Sequence, residues 1–395
     1  MFRQTHIIFC HAGFFSAYVV VALLTSASAQ AKEYSIDYNV SGGASYNDNE
    51  GLSREDERAT SGARIAFPIT FKMRGDQASA SFLSELKSYK FDDSGYDSND
   101  QNFESNAAYQ TELGSVSGKA GYMRGSTLGT EFLDTGRIGG VATRVERATA
   151  GGSGTYLLTE KSRAFVTLNY GQTDYASPRY IGGTVINSGF GAAHQWTERT
   201  SLSLGGNVSR YQNNADRQTT SDIIGSRAGF KSVLSENLDV ALTGGISYVT
   251  TSFDTNSARS RPDSDTTAYV INGAVNYRQE RYSLSATLAR NIRPTGNGDL
   301  NIFDQVNMTY RYKLSDLSGF NASLLGGNTE ALEGSIDNDR RFAQIGLGIS
   351  YKLAESWSVS SNYTYRYQDN GRGAAQSNAL EIRLTFNPKE YIWSR

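Results

Sequence analysis

From Tyr34 onward, apolar residues recur at every second position in short segments. Examples are Ile36-Tyr38-Val40, Ile65-Phe67-Ile69-Phe71-Met73, Ala164-Val166-Leu168-Tyr170 and Ile345-Leu347-Ile349-Tyr351. A period of two gives each segment one apolar and one polar face, so the chain predicts half-apolar strands. Polar punctuation separates them in two alternating kinds. Short turns fall at RGDQ (74–77), GSVS (114–117), TEKS (159–162), TERT (197–200), SENL (235–238), QERY (279–282), SDLS (315–318) and AESW (354–357). Between them lie nine longer segments rich in Asp, Asn, Gly and Ser, among them FDDSGYDSNDQNFE, TEFLDTGR and SFDTNSARSRPDSD. Eight short and nine long connections make seventeen, hence eighteen strands with both termini on the short-turn side. Strands are placed at 78–91, 117–129 and 318–328 in the less clearly patterned stretches.

The short turns recur every 36 to 45 residues, a spacing that a propeller of four-stranded blades could also give. Each period here holds only two long strands and lacks a Trp-Asp type signature, which favours a barrel. Even strand number, segments of about ten alternating residues, and short turns at one end with longer loops at the other are the pattern of transmembrane barrels. Closure is required because an open edge would leave backbone groups unpaired in hydrocarbon. The predicted fold is all-β: a transmembrane antiparallel up-and-down β-barrel of about eighteen strands with no plug domain. No external loop exceeds about 20 residues, so the same reading expects no long inward-folded constriction loop and leaves selectivity to the wall.

The N-terminus changes the picture of where such a barrel resides. Residues 4 to 31 carry no charge and include the apolar run Phe14 to Leu24, followed by Ala27-Ser28-Ala29 and Ala29-Gln30-Ala31. A basic start, an apolar run of roughly 7 to 15 residues and an A-x-A site describe a secretory signal peptide. Residues 1–31 are therefore read as the signal, cleaved near Ala29 or Ala31, and 32–395 as the barrel. Cleavage removes Cys10, the single Cys, along with His6 and His11, leaving His194 as the one remaining His. One His and no thiol do not build the usual zinc sites, so no metal or cofactor is expected. With 38 basic against 40 acidic residues, charge gives no sign of nucleic-acid binding.

The last alternating segment, Ala379 to Phe386, resembles the C-terminal assembly signal of outer-membrane barrels, although the chain continues through NPKEYIWSR. With the signal peptide and the barrel pattern, the mature chain resembles the β-barrel porins of Proteobacteria. That resemblance implies the outer membrane of a Gram-negative cell, with membrane lipid, lipopolysaccharide and the barrel-assembly machinery as partners. Barrels of that broad family are often encoded beside exopolysaccharide machinery.

Candidate residues follow from position. Trp196, Trp357 and Trp393 sit at or just beyond strand ends and read as an interfacial aromatic girdle. His194 would be catalytic only with a Ser nucleophile and an orienting group, for which no motif is visible, so no catalytic residue is assigned. Asp92, Asp93, Asp97, Asp100, Asp263 and Asp265 lack an ordered calcium-loop pattern and read as solvated loops sharing divalent ions with lipopolysaccharide. Once apolar residues face lipid, the intervening ones face the lumen. Parity then puts Arg64, Lys72, Arg163, Arg227, Lys231, Arg278, Arg311, Lys313, Lys352, Arg366 and Arg383 inside, against Asp37, Glu112, Asp239 and Glu381. Arg64, Arg227, Arg311 and Arg383 lie furthest from the strand ends and are the candidate pore-lining residues. The leading expectation is a non-enzymatic passive channel for hydrophilic, anionic solutes. Its alternatives are the outer-membrane component of polysaccharide export, taking an acidic polymer, and a structural or adhesive barrel.

Overall fold

A computed structural model describes residues 33–394 except 136–141, 216–217, 254–262, 333–338 and 372. The expected signal segment lies outside the described residues. The strands are β1 (Glu33–Tyr38), β2 (Val40–Asn47), β3 (Thr60–Arg74), β4 (Ala78–Phe91), β5 (Ser98–Thr111), β6 (Gly114–Ser126) and β7 (Arg144–Thr159). There follow β8 (Ser162–Tyr175), β9 (Gly183–Thr197), β10 (Thr200–Asn213), β11 (Thr219–Ser235), β12 (Leu238–Phe253) and β13 (Ser264–Arg278). The series ends with β14 (Tyr282–Pro294), β15 (Leu300–Lys313), β16 (Ser318–Ala331), β17 (Arg340–Ala354), β18 (Trp357–Asp369), β19 (Ala374–Phe386) and β20 (Tyr391–Ser394). Among the described residues one α-helix, α1 (Thr127–Thr135), lies between β6 and β7, and a single 3-10 turn (Ser94–Tyr96) lies between β4 and β5.

These segments make eighteen barrel staves, because two staves are each interrupted once. β1 and β2 lie end to end along β3, and β19 and β20 close the barrel against β2 and β1 in the same way. All neighbours are antiparallel. The interruption at Asn39 falls beside Pro68 in the middle of β3, whose ring nitrogen has no proton to give a ladder bond. Asn39 keeps one link there by donating its N–H to the Pro68 carbonyl at 3.2 Å. On the closing stave, Phe386 pairs with Val40 and the ladder resumes only at Tyr391 opposite Ile36. The tail that continues past the expected assembly signal thus completes the stave, with Trp393 stacked on Tyr34 at 5.6 Å.

Register separates the two faces as the alternation requires. Ile65, Leu204, Ile224, Ile246, Ile349 and Ile382 are among the exposed outward side chains, while the residues beside them in sequence point inward. Register shifts in β7, β9, β11 and β17 all fall next to short turns, where an extra residue lets the chain reverse without breaking the ladder above.

The interior is packed near the long-loop end, and here the structure corrects the sequence reading. Residues 130–135 of the TEFLDTGR segment belong to α1 rather than to a simple external loop, so the lumen is narrowed although no long loop folds inward. Leu128 and Phe132 of α1 are buried with Leu52, Leu325 of β16 and Phe342 of β17, with Tyr96, Ala142 and Ala375 packed against them. Sequence length alone hid this, because one two-turn helix reaches across the lumen without a long loop. A second apolar group, Tyr211, Ile223, Val249, Leu300 and Leu332, closes another part of the same end.

Candidate functional site

The barrel interior is the candidate site, and α1 divides it. Phe132 is 1% exposed and meets Phe342 edge-on, with ring centroids 5.8 Å apart at 73°. β17 stands on the far side of the barrel from β6 and β7, so this contact bridges the lumen. On the near side the Tyr175 hydroxyl donates to Glu131 at 2.7 Å, and Tyr180 stacks on Tyr175 at 5.1 Å. A nine-residue helix is marginal on its own, so these contacts and the apolar cluster hold it.

Two further loops share the work. Leu52 enters the cluster from a turn with φ of 46°, a costly backbone conformation for a side chain of this kind. Asn49 enforces it by accepting from Ser53 N at 2.8 Å and donating to the carbonyls of Ser53 and Gln376 at 2.8 and 3.0 Å. The loop after β14 reaches Ile181, whose N–H donates to the Gly296 carbonyl at 2.7 Å. Asn213 holds the Gly298 carbonyl at 3.1 Å, and Gly298 supplies the φ of 85° that this turn requires. Because β9 and β14 are well separated around the barrel, this loop also crosses the mouth.

Register turns Arg64, Arg227, Arg311 and Arg383 to the interior, together with the other seven basic residues that parity places there. Their surroundings differ. Arg64 Nη1 and Arg383 Nη2 both lie 3.0 Å from Glu381, across Gly43, whose lack of a side chain leaves the gap between them open. Arg64 and Arg383 are therefore partly neutralised on the wall by one shared carboxylate. Arg227 and Arg311 have no ion-pair partner among the described residues. Gly245 stands in register with Arg227, and a Cβ there would come within 2.8 Å of its Cγ, so the glycine gives the guanidinium its place. Arg366 donates to Gln344 Oε1 at 3.2 Å and lies over the Phe132 ring at 5.7 Å, which fixes a cation at the edge of the constriction.

Parity missed several wall residues. Lys87, Lys119, Arg147, Arg293 and Arg340 also face inward, as do Glu85, Asp100 and Glu104. The missed acids sit in β4 and β5, where Ser and Asn blur the alternation, while Arg340 opens a strand directly after a loop. Glu112 lies in a turn rather than on the wall. Along β11 to β19 the inward charges are basic except Asp239 and Glu381, whereas β4 and β5 carry Glu85, Asp100 and Glu104. Electrostatics inside the barrel are thus sorted by arc.

Trp196, Trp357 and Trp393 all lie outward at the short-turn end, with Trp357 against Phe386 at 5.0 Å. His194 also faces outward, and the structure gives it a neighbour that the sequence did not reveal: Ser162 Oγ is 2.9 Å from its Nδ1. Ser162 N is engaged by Thr159 Oγ1 at 3.0 Å, so this amide is not open to stabilise an oxyanion. Asp92, Asp93 and Asp97 serve as local braces, accepting respectively from Ser61 N, Gly95 N and Phe91 N. The Lys90 ammonium and the Phe91 N–H hold the Asp97 carboxyl below the usual carboxylate range. Among the described residues, no group of three or more His, Cys, Asp or Glu is placed to hold a metal ion.

No family model matches the chain, and comparison with curated proteins gives no match. Among solved structures it is similar to the copper transporter OprC, at 12% identity and a TM-score of 0.48, covering 86% of this chain and 63% of that one. The chain therefore spans under two thirds of OprC's length. It is also similar to OpdQ of Pseudomonas aeruginosa (10% identity, TM-score 0.42, 92% and 98% covered) and OccAB4 of Acinetobacter baumannii (10%, 0.43, 91% and 98%).

Proposed function

We propose that the protein is an outer-membrane channel for passive diffusion of hydrophilic solutes, with a preference for anions. The observation that carries this reading is the contrast between the two faces of one closed sheet. Outside is a band of exposed Ile, Leu, Val and Phe, which suits hydrocarbon; inside is a charged wall, mainly basic along half the circumference, which suits water. Eighteen staves are enough to leave an aqueous lumen. At the long-loop end the outer face turns polar, with Arg290 bonded to Asp304 at 2.6 Å and to Glu330 at 3.0 Å, and Arg210 to Asp222 at 2.7 Å. Such a belt suits the headgroups of membrane lipid and lipopolysaccharide, which supports a reading with the long loops outside the cell. We read the Ser162 and His194 pair as structural and assign no enzymatic role.

Two bridged loops and a helix across the mouth favour one second reading, a structural barrel that conducts little. Polymer export is less suited to this geometry, since a continuous chain needs an unobstructed path. Reconstitution into planar bilayers separates channel from structural barrel: discrete conductance steps support the first, and their absence overturns it. Orientation is checked with single cysteines. In intact cells an impermeant thiol reagent should label Asp97→Cys and spare Glu198→Cys, and the opposite result would invert the topology.

A further inference from the structure

One arc of the wall has a chemistry unlike the rest. Below Thr130 of α1, strands β4 to β7 line a half-open cavity of about 470 Å³, within the roughly 300–1,000 Å³ typical of small-molecule sites. Glu85 and Lys87 in its lining neutralise each other at 2.8 Å. Asp100, Glu104 and Lys119 do not: among the described residues none has an ion-pair partner. Asp100 accepts only neutral donors, with the Ser98 hydroxyl at 2.8 Å, and Glu104 accepts from the Asn102 amide at 2.9 Å. Glu104 stands in register with Gly121, and a Cβ on that glycine would come within 2.9 Å of Thr149 Oγ1 and 3.9 Å of Glu104 Cγ. The glycine therefore leaves room in front of the carboxylate. Lys119, two residues along the same face and in register with Asn106, lines both this cavity and the larger one of about 730 Å³ towards the short-turn end. It marks the passage between them.

We propose that this alcove binds a small zwitterion of the α-amino-acid class, its ammonium on Glu104 and Asp100 and its carboxylate on Lys119. Diagonal neighbours on adjacent strands lie about 7–8 Å apart, which suits a solute with both charges on one carbon bonded at each end. A simple anion meets two unneutralised carboxylates here and a simple cation meets the ammonium. Arg147 lines the same cavity, its Nε donating to Thr173 Oγ1 at 3.4 Å, and Lys87 stands in register with Asp100, so the lining presents both signs of charge and a solute carrying both meets a partner for each. The assignment rests on the channel reading and names a solute class for it. Heat of binding of L-glutamine to the detergent-solubilised full barrel tests it independently of conduction, beside propionate and propylammonium as single-charge probes. L-Glutamine should bind, and also reduce the bilayer current in a concentration-dependent way, while the single-charge probes bind at least about tenfold more weakly. Glu104→Gln and Lys119→Gln, checked for folding by their resistance to SDS before heating, should each weaken L-glutamine binding by about tenfold, a loss of about 1.4 kcal/mol. A conducting barrel that gives neither heat nor block, or variants that bind as the parent does, would overturn the site and leave the channel standing. A barrel that binds L-glutamine but never conducts would overturn the channel and leave the site.

Discussion

Replacing Phe132 with Ala should raise the open-channel conductance and broaden its distribution, with the barrel itself intact. The side chain is wholly buried between Leu128, Leu52, Leu325 and Phe342, and truncating such a Phe costs about 3–5 kcal/mol. Even 3 kcal/mol weakens docking roughly a hundredfold. The apolar cluster is a main support of α1, because nine residues do not sustain a helix in water, and the Glu131 bond to Tyr175 lies on the other side of the helix. The eighteen-stave ladder does not depend on this contact, so resistance of the folded barrel to SDS at room temperature should persist. A second variant removes the helix outright: Thr127 N already bonds the Thr143 carbonyl at 2.8 Å, so a two-residue Asn-Gly turn in place of 128–142 would close the β6 and β7 hairpin. It should conduct at least as well as Phe132→Ala. If both variants conduct as the parent does, α1 is not the constriction.

That helix marks the limit of what the sequence shows. Strand number, order and the ends at which turns and loops lie were legible because each rests on a local period. Positions 164–170 or 345–351 need no partner to reveal their alternation. The inward face was legible for the same reason: once Ile224 and Phe230 point out, Arg227 must point in. Contacts between residues far apart in the chain carry no such period. Nothing local ties Phe132 to Phe342, Gly296 to Ile181, or Glu381 to Arg64, and these contacts decide what blocks the lumen and which guanidiniums are neutralised. The pairing of Ser162 with His194 was hidden likewise, since it depends on the register between β8 and β9. Where Ser and Asn replace apolar residues, as in β4 and β5, even the period weakens, and with it went the acids of the alcove.

Glu381 should therefore control ion selectivity with a sign opposite to that of its neighbours. Arg64, Arg383 and Glu381 form a group of net charge +1, and Arg227 is a separate +1 with no acidic partner among the described residues. Under a salt gradient across a planar bilayer, the parent should give a reversal potential of the sign for anion preference, because fixed positive charge on a water-filled wall concentrates anions. Arg227→Gln removes an isolated charge and should shift the potential towards zero. Arg383→Gln leaves a neutral Arg64 and Glu381 pair, so the local attraction disappears and the shift has the same direction. Glu381→Gln raises the group to +2 and should shift the potential the other way, to stronger anion preference. The double variant Glu381→Gln with Arg383→Gln returns the group to +1 and should fall near the parent. All shifts should shrink in concentrated salt, since screening acts over about 10 Å at 0.1 M but about 3 Å at 1 M. Cation preference in the parent would refute the assignment of selectivity to this wall. A Glu381→Gln shift towards zero would show that the three charges act through the shape of the lumen rather than through its field.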